Sequence, residues 1–398
     1  MIATAPIPVS ACPQSAGAVH VLTLTPFYPS TGDEARGCFV AEPLEWTGSL
    51  RIKNTVYAVQ PFYRGRVNRD DSTPRAHWIR FASLPSGLGL SSSGAFLFAG
   101  LLRKVSKFHR TDPIDIIHAH GALPCGHAAA LLSRELDVPF LVTVHGLDVF
   151  STNQVKGLAG KWAERLSRLV YRSARSIICV SQRVRDQLIA GMPDSANTTV
   201  IHNGVDPELF CPAHSAAPSN AILSVGNLIP SKGHALLVRA FSRIRERFPQ
   251  LVLEIVGEGR ELPRLEGLVR NLAIADKVHF LGRQNRRDVA HAMQRCVLFA
   301  LPSSYEGLGC AYLEAMSAGK TVIGCSGQGI EDVVRHGVNG WLIPPDNLEE
   351  MITALCLLLS NGQLRCKLGR AARETIVQNF TFEHQADHLS RVYRESAG

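Results

Sequence analysis

Short apolar runs recur along the chain, and most of them end at glycine, proline, histidine or asparagine. Stretches with apolar residues at helical spacing follow several of the runs. Short apolar runs bounded by loop residues predict buried strands, so the pattern indicates strand–helix alternation in both halves. The clearest runs are Val19 to Leu24, Ile114 to Ala119, Phe140 to Val144, Ala221 to Val225, Leu251 to Val256 and Val297 to Leu301. We therefore expect two similar α/β domains with parallel sheets.

Length and local composition place the domain boundaries. A chain of 398 residues is long for one core, so two domains of about 200 residues each are expected. We assign residues 1–18 to a flexible tail and 19–210 to the first domain. Residues 211–220, rich in Pro, Ala and Ser, form the predicted linker. The second domain covers 221–380, and 381–398 form an amphipathic helix that we expect to cross back to the first domain.

Composition narrows the class of protein. The chain is 45% hydrophobic and 19% charged, which is ordinary for a soluble globular protein. Its ten cysteines contain no Cys-x-x-Cys pair, which favours reduced thiols in the cytoplasm over a disulfide framework or a zinc site. No apolar run reaches the ~18 residues of a membrane span, and the N-terminus lacks the features of a secretion signal.

The net charge of +8 indicates acidic partners without choosing among anionic lipid, a phosphate-bearing ligand and nucleic acid. Arginines at 165, 168, 172 and 175 occupy one face of a predicted helix over Lys156 to Arg175. Trp162, Leu166, Leu169 and Val170 occupy another face. This helix is either a solvated face over a core face or a surface that lies against anionic headgroups.

The most informative stretch runs from Ser303 to Gly319 and predicts a strand, a tight glycine loop and a helix. Glu306 lies in the loop, and Glu314 lies about two turns into the helix. At ~1.5 Å per residue the carboxylates can be roughly 12 Å apart, too far for one acid–base pair. They suit the two ends of an extended ligand, and the helix start between them suits a phosphate. A nucleotide-sugar has this layout.

Other candidate residues follow predicted strands, where open α/β sheets bind ligands. Lys232 lies in a glycine-flanked loop that can hold a diphosphate, although the Walker A spacing is absent. Gly257 and Gly259 are weak support, because a dinucleotide fingerprint needs a third glycine. His145 could donate to a ligand or cap local backbone. His118 and His120 point the same way on a strand, but no third metal ligand is obvious.

These motifs, taken together and in order, resemble family 4 of the retaining glycosyltransferases, which has the GT-B fold of two Rossmann-like domains facing a cleft. The matching segments are Gly37 to Val40, Ile117 to His120, Val144 to Gly146, Val180 to Ser181, Asn203 to Asp206, Lys232 to Gly233, Val256 to Gly259 and Glu306 to Glu314. Segments 226–234 and 327–331 are most similar to the branch of teichuronic-acid, capsule and exopolysaccharide transferases. The resemblance implies transfer of a hexosyl group from a UDP- or GDP-sugar to a glycan or lipid-linked acceptor.

The resemblance also implies residue roles. Lys232 would bind the donor diphosphate, Glu306 the donor sugar, and His145 of the N-terminal domain would lie near the reacting sugar, so these three form the catalytic set. Gly37 and His120 would lie on the acceptor side. The implied donor-binding residues are Asn227, Lys232, Gly257, Gly259, Arg283, Glu306, Gly307, Leu308, Gly309 and Glu314. Asn227 departs from the family, which usually has arginine there, so one charge of the diphosphate clamp is missing.

The residues favour a front-face mechanism, because no carboxylate is placed as a nucleophile. Lys232 and helix N-termini would stabilise the leaving group. No Asp-x-Asp occurs, so we expect neither a metal nor another cofactor. The expected partners are the donor, the acceptor and an anionic membrane surface at the inner face of the plasma membrane, without nucleic acid. A phosphorylase, a sugar-nucleotide epimerase or a non-catalytic sugar-nucleotide binder are the alternatives on this fold.

Overall fold

The computed structural model describes residues 18–30, 36–64, 76–84, 89–150, 155, 157–193, 197–213 and 219–398. The predicted tail 1–18 therefore lies outside the described residues except for residue 18. Half of the predicted linker, residues 214–218, also lies outside them. All the cysteines in the described ranges are free thiols.

The first sheet has seven parallel strands in the order β3-β2-β1-β4-β5-β6-β7. Strands β1, β4 and β5 are buried along their whole length. Central strands covered by helices on both faces read as continuous apolar runs, which is why the sequence pattern found them. The strands are β1 Val19–Thr25, β2 Ile52–Pro61, β3 Ala76–Phe81, β4 Ile116–His120, β5 Phe140–Val144, β6 Ser176–Cys179 and β7 Thr198–Val200.

The second sheet has six parallel strands in the order β10-β9-β8-β11-β12-β13. The sequence from Gly337 to Ile343 reads as a hairpin, and the edge of this sheet corrects that expectation. Trp341–Ile343 instead pairs in parallel with β12, and the turn before it keeps a bridge between His336 and Gly340. The strands are β8 Ala221–Val225, β9 Val252–Val256, β10 Val278–Phe280, β11 Leu298–Ala300, β12 Val322–Cys325 and β13 Trp341–Ile343.

Helices connect the strands and cover both sheets. They are α1 Cys38–Thr47, α2 Leu90–Thr111, α3 His127–Leu136, α4 Gly157–Ser173, α5 Gln182–Gly191, α6 His234–Ile244, α7 Leu262–Asn271, α8 Arg286–Arg295, α9 Cys310–Ser317, α10 Leu348–Ser360, α11 Gly362–Asn379 and α12 Phe382–Ala397. None of the helices in the described ranges combines the length and apolar character needed to cross a bilayer.

The Gly- and Ser-rich stretch Ser86 to Gly94 reads as a mobile segment, an expectation that helix α2 corrects from Leu90 onward. Residues 86–88 lie outside the described residues. The helix begins at Leu90 and includes Gly94. A Cβ added at Gly94 would lie 2.6 Å from the Cβ of His127, so glycine allows α2 to pack closely against the start of α3. Composition suggested a flexible segment, whereas helix packing uses the missing side chain.

In helix α4, not all the apolar residues predicted to share a core face are buried. Val170 is buried, but Trp162 and Leu169 are 58% and 52% exposed rather than on a core face. Arg168 is partly buried and donates to Glu164. The outer face of this helix therefore presents large apolar residues beside arginines.

Helix α12 packs on the first sheet, so the chain returns to the first domain. Leu389 and Tyr393 belong to an apolar cluster with residues of β1, including Val21. The hydroxyl of Tyr393 lies 2.7 Å from Nδ1 of His118 on β4. A capping box at Thr381 and His384 fixes the start of this helix.

Candidate active site

Loops from the two domains touch where the strand ends of both sheets face each other. A Cβ added at Gly307 would lie 2.1 Å from the carbonyl oxygen of His145. A Cβ added at Gly146, where φ is +136°, would lie 3.2 Å from the hydroxyl of Tyr305. Glycine is therefore required for this approach. Ser181 donates to the carbonyl oxygen of Gly307 at 2.5 Å and joins the domains at the same point.

Lys232 and Glu306 form an ion pair at the centre of this contact. Nζ of Lys232 lies 2.5 Å from Oε2 of Glu306, and both side chains are largely buried. Ser303 donates to the same carboxylate oxygen at 3.3 Å. The backbone N–H of Glu306 donates to Gln328 Oε1 at 3.1 Å. The lysine loop and the glycine loop thus present one cation and one anion at the cleft.

Glu314 lies on α9, the helix that follows the glycine loop, and pairs with Arg286 of α8. Nη1 of Arg286 donates to Oε1 of Glu314 at 2.8 Å. The same guanidinium contacts Glu42 of α1, with Nε 2.7 Å from Oε1 and Nη2 2.9 Å from Oε2. It also lies over the ring of Phe210, with Cζ 5.1 Å from the ring centroid. One arginine therefore links carboxylates of both domains.

Burial and this charge cluster shift the titration of its members. Burial raises the pKa of Glu42 to about 7, although Arg286 opposes the rise. Burial also raises the pKa of Glu314, again against Arg286. Burial alone would lower the pKa of Arg286, but Glu314, Cys38 and Glu42 raise it instead. The guanidinium stays charged, whereas Glu42 can take a proton near neutral pH.

Three histidines form a row beneath the cleft. Both ring nitrogens of His118 have partners, Tyr393 Oη and Thr143 Oγ1, each at 2.7 Å. Nδ1 of His120 lies 3.0 Å from Nε2 of His145. Burial lowers the pKa of His118 to about 3, that of His145 to about 4, and that of His120 well below its ordinary value. All three are neutral imidazoles at pH 7, so His145 can offer a hydrogen bond but not a positive charge.

Four more of the predicted donor-binding residues lie in loops of the second domain, where two pack against the lysine loop and two are exposed. Gly257 and Gly259 pack against the lysine loop, since added Cβ atoms would lie 2.0 Å from Gly226 O and 2.3 Å from Leu228 O. Asn227 and Arg283 are exposed, and Nε of Arg283 lies 3.7 Å from Glu258 Oε2.

The last three predicted residues fix backbone turns or fill the core. Leu308 is buried, and Gly309, the N-cap residue of α9, has a φ of +89°. Gly37 has φ of +73°, and an added Cβ would lie 2.3 Å from the backbone of Phe27. The structure therefore gathers Lys232, Glu306, Gly307 and His145 at one contact and leaves Asn227 and Arg283 at the edge.

Sequence reasoning missed four residues here: Arg286, Glu42, Asp148 and Tyr305. Asp148 follows His145 by three residues and accepts a hydrogen bond from its backbone N–H at 2.9 Å. Its place in a strand-end loop could have identified it. The sequence at Asp332 reads as a helix start, whereas the structure places this residue in the 3₁₀ turn Gly329–Asp332. Asp332 Oδ2 instead crosses to the first domain and contacts His202 Nε2 at 2.8 Å.

Comparison with known proteins gives consistent matches over both domains. The model described as "Glycosyltransferase Family 4" matches residues 53–209, and "Glycosyl transferases group 1" matches 211–375. An uncharacterized glycosyltransferase of Methanocaldococcus jannaschii is 30% identical over 288 residues, which is 72% of this chain and 76% of that protein.

Two solved structures have the same architecture. Sucrose-phosphate synthase from Thermosynechococcus elongatus superposes with a TM-score of 0.78 at 21% identity, covering 94% of this chain and 98% of that one. Anabaena HepE in complex with UDP and glucose superposes with a TM-score of 0.71 at 20% identity, covering 95% and 100%. At these identities the structures establish the fold.

Proposed function

The chain belongs to glycosyltransferase family 4 and has the GT-B fold, and on that premise we propose that it is a retaining hexosyltransferase that uses a nucleotide-diphospho-sugar. The acceptor is a glycan or a lipid-linked glycan in cell-surface polysaccharide biosynthesis. The observation that carries the proposal is the pairing of Lys232 with Glu306 on a glycine loop that touches the His145 loop.

The donor assignment follows from the chemistry of this pairing. Lys232 has three N–H donors, so it can keep Glu306 and still bind a phosphate oxygen. Helix α9 begins just beyond Gly309 and directs backbone N–H groups toward the same region, which suits the diphosphate. Glu306 accepts from sugar hydroxyls, and Glu314 accepts from the ribose. The UDP complex of the Anabaena neighbour supports a uridine donor, and GDP-sugars are the alternative.

The proposed step is front-face transfer. The acceptor oxygen forms a bond to the anomeric carbon while the bond from that carbon to the phosphate oxygen breaks. The electron pair leaves with the diphosphate, and a phosphate oxygen on the same face takes the acceptor proton. Lys232 and the start of α9 stabilise the charge that develops on the diphosphate. Neutral His145 contributes a hydrogen bond near the reacting carbon. The step requires no divalent cation, so EDTA should leave the rate unchanged.

The test measures release of UDP or GDP from a panel of nucleotide-sugars, with and without glycan acceptors. Lys232→Ala and Glu306→Gln should each lower turnover by a factor of about 100 or more, as expected for lost leaving-group and sugar contacts. Lys104→Ala on α2 and Glu266→Gln on α7 are matched controls at exposed positions, and both should keep the wild-type rate. Binding of the donor without any release would favour a non-catalytic binder, and full turnover by both variants would refute the assigned roles.

We also propose that the outer face of α4 holds the enzyme at the inner face of an anionic membrane. Leu158 and Trp162 are 85% and 58% exposed there. Arg165 lies beside them, with Cζ 5.9 Å from the Trp162 ring centroid, and Arg172 lies further along the exposed side. Apolar residues flanked by arginines match an interfacial helix.

Liposome co-sedimentation tests this contact. Wild-type protein should bind vesicles containing phosphatidylglycerol more strongly than pure phosphatidylcholine vesicles, and Trp162→Ala with Arg165→Gln should lose that difference. Arg239→Gln, at an exposed position of α6, makes the same charge change away from this face and serves as the control. Equal binding to both vesicle types would contradict the proposal.

A further inference from the structure

A cavity lies in the first domain beside the contact between the His145 and Gly307 loops. It has a volume of about 320 Å³ and opens at the carboxyl ends of β1, β2, β3 and β4. Aromatic and aliphatic side chains make up most of its wall, with a few polar groups among them. The residues that matter to the argument are Phe27, Tyr63, Phe81, Arg36, Arg64 and Asp148.

Asp148 contributes an unusual atom to this cavity. Its Oδ1 accepts from the backbone N–H of His145 at 2.9 Å. Its Oδ2 is buried and has no hydrogen-bond partner among the described residues. A buried polar atom without a partner costs about 1–3 kcal/mol, so such an atom in a cavity wall indicates a ligand that supplies the missing donor. Burial also raises the pKa of Asp148 to about 6, so the carboxylate is charged at pH 7.

Gly121 lines the same cavity beside this oxygen. A Cβ added at Gly121, where φ is +81°, would lie 3.4 Å from Oδ2, so glycine leaves the space beside it open. Nε2 of His120, which lines the same cavity, is also buried without a partner in the described part of the chain. Two residues of the cavity wall thus each carry a buried polar atom without a partner among the described residues.

The charge in the cavity favours an anion elsewhere in the same ligand. Among the described residues that line the cavity, Arg36 and Arg64 carry positive charge and Asp148 carries negative charge, while His120 is neutral. Arg36 donates to the carbonyl oxygen of Pro26 at 3.1 Å, which places its guanidinium at this wall. Guanidinium groups bind phosphate and carboxylate with good geometry.

The cavity is also adjacent to the proposed reaction centre. Gly146, two residues before Asp148, is in contact with Tyr305 and Gly307 of the loop that carries Glu306. A ligand held by Asp148 therefore lies one loop away from the proposed donor sugar. This position suits an acceptor.

We propose that Asp148 holds a hydroxyl of the acceptor through Oδ2, and that this acceptor carries a phosphate or carboxylate bound by Arg36 and Arg64. The inference rests on the proposed transferase function and adds the acceptor class. A cavity of this volume takes a single sugar or a headgroup, with an apolar face against Phe27 and Phe81. The anionic alcohol is either a free sugar phosphate or the headgroup of a phospholipid-linked sugar, since both present the same chemistry.

A panel of matched acceptors tests the class. In the free arm, methyl α-glucoside is compared with glucose 6-phosphate, and inositol with inositol 1-phosphate. In the lipid arm, farnesyl hexosaminide is compared with farnesyl-diphospho-hexosamine. The anionic member of at least one pair should have a kcat/KM about tenfold or more above its neutral partner, the effect of one charge-assisted contact. The arm in which transfer occurs identifies the source.

Arginine variants locate the anion. Arg36→Gln and Arg64→Gln should reduce the preference for the anionic acceptor. Arg239→Gln, at an exposed position of α6, should leave that preference at the wild-type value. Equal use of neutral and anionic acceptors, or no transfer to any anionic member, would overturn the proposed acceptor class.

Asp148→Asn tests the hydroxyl contact, because it keeps an oxygen for the His145 N–H and replaces the other oxygen by an NH₂ donor. The acceptor KM should rise about tenfold or more, a larger change than in the donor KM or the UDP affinity. Asp137→Asn is the matched control, since Asp137 is exposed with φ of +53°, a conformation that asparagine tolerates. Equal losses in hydrolysis, UDP affinity and melting temperature would show a purely structural role and refute the assignment.

The two proposals fail in different ways. If the wild-type protein neither hydrolyses nor transfers from any nucleotide-sugar, the proposed function is wrong. If hydrolysis and Lys232 dependence persist but Asp148→Asn leaves acceptor KM unchanged, only the acceptor assignment is wrong.

Discussion

Replacing Arg286 by methionine should destabilise the protein in a way that depends on pH. The substitution keeps much of the side-chain volume but removes the cation shared by Glu42 and Glu314. Both carboxylates are mostly buried, and Glu314 and Arg286 have side-chain exposures of 11% and 12%. Removing one partner of a buried ion pair typically costs about 3–5 kcal/mol. Glu42 is 26% exposed, so we expect about 3 kcal/mol, at the lower end of this range.

The pH dependence follows from the remaining carboxyl groups. Burial already raises the pKa of Glu42 to about 7 and raises that of Glu314, and loss of Arg286 would raise both further. A carboxyl with a raised folded-state pKa is destabilising when ionised, so the penalty is full at high pH. It is relieved as pH falls through the folded-state pKa. The destabilisation should therefore be largest at about pH 8 and shrink by about half or more at about pH 5.

Urea unfolding of wild type, Arg286→Met and Arg287→Met at both pH values measures this effect. Arg287 is the next residue and is exposed, so its variant controls for the loss of one positive charge at the start of α8. Arg286→Met combined with Glu42→Gln should recover about 1–2 kcal/mol, because one unpaired charge is removed. A loss no larger than that of Arg287→Met at high pH, or a larger loss at low pH, would refute the reasoning.

Two further outcomes are expected from the cleft. Gly307→Ala should lower turnover at least about tenfold, because its Cβ would lie 2.1 Å from the His145 carbonyl oxygen and the loops must separate. Gly267→Ala on α7, where nothing lies near an added Cβ, should keep wild-type activity, and equal activity of both variants would contradict this contact. The kcat/KM for the acceptor should fall as pH drops below about 6, because Asp148 loses its charge there. This limb should be absent in Asp148→Asn. Its titrating neighbours His120, His145 and Tyr171 have pKa values shifted well outside this range, so a limb retained in the variant would exclude Asp148.

The fold could be predicted from sequence because the central strands are buried on both faces. Phe140–Val144 and Ala221–Val225 read as continuous apolar runs, and the structure gives the same bounds. The edge strand Trp341–Ile343 could not be recognised, because a short half-exposed strand beside glycines reads equally well as a hairpin. Exposure of Trp162 was missed for a related reason. A helical pattern shows which residues share a face but not what covers that face.

The same distinction applies to the site. Lys232, Glu306 and His145 lie in strand-end loops with glycines, and that local arrangement identified them before the structure brought them together. Arg286 pairs with Glu42 across 244 positions of sequence, and no local pattern records such a pair. Its sequence context, Asn285 to Asp288, reads as an ordinary exposed helix start with a capping residue. Long-range pairing of charges can only be read from the folded chain.

The contacts between the domains connect the two proposed substrate sites. Gly307 adjoins Glu306 and touches His145, whose backbone N–H in turn holds Asp148. Donor sugar and acceptor hydroxyl would therefore be positioned by side chains on two loops that are in direct contact. Arg286 adds a second link, since it holds Glu314, which we propose binds the donor, and Glu42 of α1 at once. Any movement that separates the domains must then disturb both substrate positions together, so binding of either substrate should favour the arrangement that the other requires.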